Sequence, residues 1–251
     1  MSDGSAPTRQ PNLLPRPIPV SGADLLLILI VALGSVRLLA GLVAALAPRA
    51  TGGGSVVVLT LGVLLFQTVA VLVTIHFLAL RKYGLRWADL GLRPSTPRWC
   101  RRGLGLAVLL LPMVAAINGI LIPRVMGEDF HNPQIDAVAS GGFSWPALLS
   151  MLVMAGFVAP FGEELAFRGL LFAWLRDRLG VGAAAVVSGL VFAILHGVPV
   201  LIPALTAIGI ALALLYHRCG SLWPVILAHG TFNAIMVAAL YAGLAAGLEI
   251  P

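Results

Sequence analysis

Apolar runs of about twenty residues recur along this chain, and a run of that length is what an α-helix needs to cross the hydrocarbon core of a bilayer. The runs fall at about 24–47, 55–80, 103–122, 147–172, 181–198, 200–217 and 222–246. Gly, Pro and charged residues separate them and act as breakers. The predicted class is therefore all-α: a polytopic membrane helix bundle of about seven spans. Composition agrees, since 59% of the 251 residues are hydrophobic and 10% charged, against roughly 25% charged in a soluble domain. The fourth run continues to about Arg178, which as one helix measures roughly 48 Å, so it must protrude, tilt or break.

Residues 1–22 carry Pro7, Pro11, Pro15, Pro17 and Pro19 and few large apolar groups, which predicts a disordered tail ahead of a transmembrane domain over 23–251. The first run is too long for a signal-peptide core and reads as a retained helix. Orientation follows from Lys and Arg in the short loops. The 81–102 loop holds Arg81, Lys82, Arg86, Arg93, Arg98, Arg101 and Arg102, and the loops on its side add Arg9, Arg16, Arg176, Arg178 and Arg218; the other side has Arg49 and Arg124. Twelve against two puts the N-terminus in the cytoplasm and the C-terminus outside, in a plasma (inner) membrane. The basic balance is thus topological and implies no nucleic-acid partner, while membrane lipid is a generic one. Cys100 and Cys219 lie near arginines on the cytoplasmic side, where no disulfide is expected.

Ionisable groups inside a span cost at least about 2.5 kcal/mol each and tend to mark a functional interior. They gather in the last third: Glu163, Glu164 and Arg168 in the fourth span, Phe192 and His196 in the fifth, His229 and Asn233 in the seventh. Glu164 and Arg168 are four apart with the acid first, the favoured order for an ion pair on one helix face. Glu163 points about 100° away and has no cation within its helix, which suits a carboxylate that takes a proton from water. Phe192 and His196 share one face, as do His229 and Asn233, and counting about 1.5 Å per residue puts all of these at depths compatible with one polar intramembrane cavity. The plain alternative is that the same groups only lock helices together. Arg37 and His76 stand alone and read as snorkelling or local packing. Trp87, Trp99, Trp145, Trp174 and Trp223 flank the spans as an interfacial belt does.

At these residues the chain resembles the CPBP membrane proteins, the group of CAAX prenyl endopeptidases and bacteriocin-processing or abortive-infection proteins. The pattern Glu-Glu-x-x-x-Arg, Phe-x-x-x-His, His-x-x-x-Asn is met by Glu163, Glu164 and Arg168, by Phe192 and His196, and by His229 and Asn233, within about 147–240. Leu90-Gly91-Leu92-Arg93 after the basic loop is also similar, less specifically. The resemblance implies an intramembrane glutamic endopeptidase without a cofactor. In it Glu163 and His196 activate a water, His229 and Asn233 stabilise the oxyanion, and Glu164, Arg168 and Phe192 support them. It further implies a peptide or membrane-protein substrate, prenylated in one branch of the family.

Other proteolytic chemistries find less support. There is no His-Glu-x-x-His, no span with paired aspartates, and no Gly-x-Ser-x-Gly around Ser188. A two-histidine, one-carboxylate zinc set from His196, His229 and Glu163 stays open as an alternative. A non-proteolytic scaffold or immunity protein that binds a partner helix with the same cluster also stays open.

Overall fold

The computed structural model describes residues 17–31, 53–127 and 141–248, together with positions 34, 41, 132, 135, 138 and 139. The described residues form a helical bundle: α1 (Gly22–Val31), α2 (Gly53–Ile75, continued by a π turn His76–Arg81), α3 (Pro97–Met126), α4 (145–179), α5 (181–195), α6 (Ile202–Cys219) and α7 (Trp223–Ala245). Five stretches are long and apolar enough to cross a membrane: Val57–Arg81, Pro97–Met126, Trp145–Leu195, Pro199–Cys219 and Trp223–Ala245. Gly180, with φ 76° and ψ 170°, breaks the third of these into α4 and α5. Most of the first expected span, Arg37 included, lies outside the described residues, so the count of seven rests partly on residues that are not described. The lipid-facing sides carry Leu65, Phe66, Val69, Leu109, Leu149 and Val153 exposed, a surface suited to hydrocarbon and not to water.

The overlong fourth run does not break within its span. It stays helical from Trp145 to Leu179 but loosens twice, into π turns at Met154–Val158 and Leu165–Phe172, on either side of Ala159–Glu164. Carbonyls of the first loosened stretch meet polar groups of neighbouring helices: Asn233 Nδ2 of α7 donates to Ala155 O at 3.0 Å, and Thr68 Oγ1 of α2, which donates to Leu64 O at 2.9 Å, also stands 3.4 Å from Val158 O. In a bilayer interior such outside partners are what make irregular backbone tolerable. Ser144 caps the start of α4 by accepting from Ala147 N at 3.3 Å.

Besides the seating of α3 on α7, where a Cβ on Gly103 would stand 2.4 Å from Pro224 O, two close helix crossings depend on missing side chains. A Cβ on Gly230 would stand 2.0 Å from Gly156 O, and one on Gly209 would stand 2.5 Å from Gly189 Cα. Helices packing on small residues is the usual membrane solution, because lipid gives apolar side chains no reason to leave it. The first crossing seats α7 against α4; the second seats α6 against α5.

The basic end is knitted by two segments. Residues 17–21, placed with the tail by their prolines, are instead docked: Ile18 and Val20 are buried, Trp174 Nε1 donates to Val20 O at 2.9 Å, and Ile18 N donates to Asp177 Oδ2 at 3.3 Å. Asp24 then accepts from Lys82 Nζ at 2.8 Å and from the Tyr83 hydroxyl, and this pairing raises the Lys82 ammonium above its ordinary range. The second segment is Leu90–Arg93. Leu222 N donates to Gly91 O at 2.8 Å, Ser221 Oγ to Arg93 O at 2.7 Å, and Tyr216 Oη to Leu90 O at 3.1 Å. It thereby ties the end of α6 to the start of α7.

Candidate active site

Arg168 and Glu164 are fully buried, and Arg168 Nη1 donates to Glu164 Oε1 at 2.8 Å, the pair expected from their spacing. Arg168 Nη2 also donates to Gly209 O at 3.1 Å, a backbone acceptor within reach because α6 packs closely at that glycine. A buried guanidinium needs such additional acceptors. Its plane lies over the Phe192 ring, 4.8 Å from the centroid, a cation–π contact.

Glu164 does more than pair with Arg168. Its Oε1 also receives His229 Nδ1 at 2.7 Å, which brings α7 to α4 across 65 positions of sequence. The other nitrogen, Nε2, stands 3.9 Å from Glu163 Oε2, beyond a direct hydrogen bond. His229 is buried, whereas the Glu163 side chain keeps 19% of its surface exposed. The two adjacent glutamates thus occupy different environments, as their 100° separation on the helix requires.

His196 ends α5 and is half-buried; its Nδ1 lies 2.8 Å from Phe192 O. It joins the others through the Phe192 ring, which meets His196 edge-on at a 4.6 Å centroid distance, His229 at 5.8 Å and Phe167 at 5.1 Å. Phe192 is therefore the apolar hub between α4, α5 and α7. Asn233, one turn beyond His229, spends one amide hydrogen on Ala155 O and has a second to offer. All seven residues singled out from sequence consequently lie on three helices that meet around Phe192 and the α4–α7 crossing. Sequence reading did not single out Asn118 of α3 or Thr206 of α6, whose buried side-chain oxygens have no hydrogen-bond partner among the described residues. It also missed the groove below.

Among the described residues no group of three or more His, Cys, Asp and Glu side chains is arranged to hold a metal ion. His229 Nδ1 is committed to Glu164 at 2.7 Å, which leaves that imidazole a single nitrogen for any ligand. Beside the cluster an apolar groove of about 580 Å³ runs between residues 149–157 of α4 and 223–234 of α7, with Gly230 and Thr231 in its wall.

The family model described as "Type II CAAX prenyl endopeptidase Rce1-like" matches residues 145–235, a range that contains every residue of the cluster. Over these residues the chain is similar to the CPBP family, in keeping with its motifs. The "Putative membrane peptidase YdiL" of Bacillus subtilis is 31% identical over 87 residues, 35% of this chain and 36% of that protein, so the similarity spans about a third of each. No solved structure matches the chain significantly. The CPBP match stops short of α1, α2 and α3.

Proposed function

We propose that the protein is an intramembrane endopeptidase that hydrolyses a peptide bond with water activated by Glu163 and His196, in the manner of CAAX prenyl proteases. The observation that carries this is the meeting of Glu163, Glu164 and His229 around one buried position inside the segment that matches the endopeptidase family. Glu163 Oε2 takes a proton from water as the water oxygen bonds to the scissile carbonyl carbon. His229 Nε2 and the second amide hydrogen of Asn233 stabilise the oxyanion. In a dry site each such donor is worth about 3 kcal/mol of transition-state stabilisation. The substrate is a peptide or membrane protein whose apolar part lies along the α4–α7 groove, and a prenyl chain fits that description. The basic end with the 82–96 loop faces the cytoplasm.

The test is hydrolysis of a farnesylated C-terminal reporter peptide by the full-length protein in lipid nanodiscs, followed by mass spectrometry of the products. Cleavage is expected, and it should persist after washing with a strong chelator, since acid/base activation of water requires no cation. Activity lost on chelation and restored by zinc would replace the glutamate mechanism with a metal one. Absence of cleavage would remove the prenyl-peptidase reading.

A further inference from the structure

We infer that His229 is the proton donor to the leaving amine and that Glu164 is the positioning residue that keeps it in that role; this rests on the endopeptidase reading above. Glu164 Oε1 already accepts from Arg168 Nη1, and a carboxylate oxygen accepts without donating, so the hydrogen in the 2.7 Å contact belongs to His229 Nδ1. With Nδ1 carrying a hydrogen, Nε2 can donate to an oxyanion only if the ring is protonated at both nitrogens. The surroundings fit that form. The charged side chains around the ring are Glu164 and, at 3.9 Å, Glu163, with Arg168 behind Glu164; His196 lies across Phe192. One guanidinium and one imidazolium balance two carboxylates, whereas a neutral imidazole would leave the buried cluster with a net negative charge, which is costly. Among the described residues Glu164 Oε2 has no hydrogen-bond partner, so its charge is compensated through Oε1 alone, by Arg168 and His229.

The reaction then closes on itself. Water gives a proton to Glu163 and its oxygen bonds to the carbonyl carbon, whose π pair moves to the oxygen that Nε2–H and Asn233 stabilise. The C–N bond breaks as the oxyanion re-forms its carbonyl, and the departing nitrogen takes the Nε2 proton. The neutral His229, still held through Nδ1 by Glu164, recovers a proton at Nε2 from Glu163. The net change is one water consumed, with an acid and an amine formed.

The experiment compares two farnesylated reporters in nanodiscs, one with an amide and one with a thioester at the scissile position, because a thiolate departs without a proton and an amine does not. Glu164→Gln should lower kcat on the amide by about 10²-fold or more, with KM nearly unchanged, and this loss should exceed the loss on the thioester by about 10-fold or more. His229→Gln, which leaves the Glu164–Arg168 pair in place, should slow both reporters by disturbing the oxyanion contact but the amide by about 10-fold or more beyond the thioester, and it covers the case in which Glu164→Gln does not fold. Equal losses on both reporters in a folded variant would overturn the assignment. Wild-type protein that cleaves neither reporter would instead remove the prenyl-peptidase reading on which the assignment rests.

Discussion

The bundle has two unlike parts. In α2 and α3 only 17% and 11% of the most apolar window is buried within the protein, whereas α6 and α7 bury 50% and 44%. The first pair presents its surface to lipid; the second is packed on both sides and shares its interior with the charged part of α4. The ionisable cluster, the Gly230 and Gly209 crossings and the family match fall in the buried part. A charge can persist at membrane depth only where protein groups replace water as its partners. The exposed helices lack that shelter and bring uncharged groups instead: α2 sets Thr68 Oγ1 3.4 Å from Val158 O, and α3 seats Gly103 against Pro224 O of α7 and buries the side-chain oxygen of Asn118. The difference teaches that in this chain the ionisable cluster follows burial and not hydrophobicity, which is high throughout.

The contrast breaks if the buried part tolerates change as the lipid-facing part does. The largest effect expected is from Glu163→Gln, which should reduce reporter hydrolysis by at least about 10³-fold while thermal unfolding stays close to wild type, because it removes a base from a partly exposed position. Leu109→Ala on the lipid face of α3 should leave the rate within about twofold; comparable losses in the two would dissolve the distinction. Next, Arg168→Leu should destabilise by about 3–5 kcal/mol, since it strands Glu164 as an uncompensated buried anion, and the double change Glu164→Leu with Arg168→Leu should recover part of that loss. Denaturation of both variants in the same detergent measures this, and a double variant no more stable than the single one would contradict it. Asn233→Ala should cost about 10²-fold in kcat through the lost oxyanion donor, with a smaller stability loss from the unpaired Ala155 carbonyl; an unchanged kcat would limit Asn233 to packing. The smallest effect expected is from Lys82→Ala at the basic end. Its side chain is about half exposed, and such pairs contribute about 0.2–1 kcal/mol, so unfolding should shift slightly and hydrolysis not at all.

Local spacing made part of the site legible. Glu164 with Arg168, Phe192 with His196, and His229 with Asn233 each share one turn of helix, and periodicity alone separates Glu163 from Glu164. What spacing cannot convey is how three helices are rotated and staggered against one another. Spacing anticipates the Glu164–Arg168 pair but not the bond from Glu164 to His229, which joins residues 65 positions apart. The Pro-rich composition of residues 17–21 likewise hid that Ile18 and Val20 find a buried seat against α4. Composition measures what a segment can bury by itself, not the site a neighbouring helix offers it.

By itself the sequence determined the helical membrane class, the segment that holds the polar cluster and the residue types in it, because twenty-residue apolar runs and the cost of charge in lipid admit few other arrangements. Only the tertiary structure decided which carboxylate meets which histidine. That choice depends on the loosened turns of α4, which set the register of Glu163 and Glu164, and on the contact of Gly230 with Gly156, which brings α7 close enough for His229 to reach them. Register and interhelical distance are properties of packed pairs of helices, and neither is written in the period of any one of them.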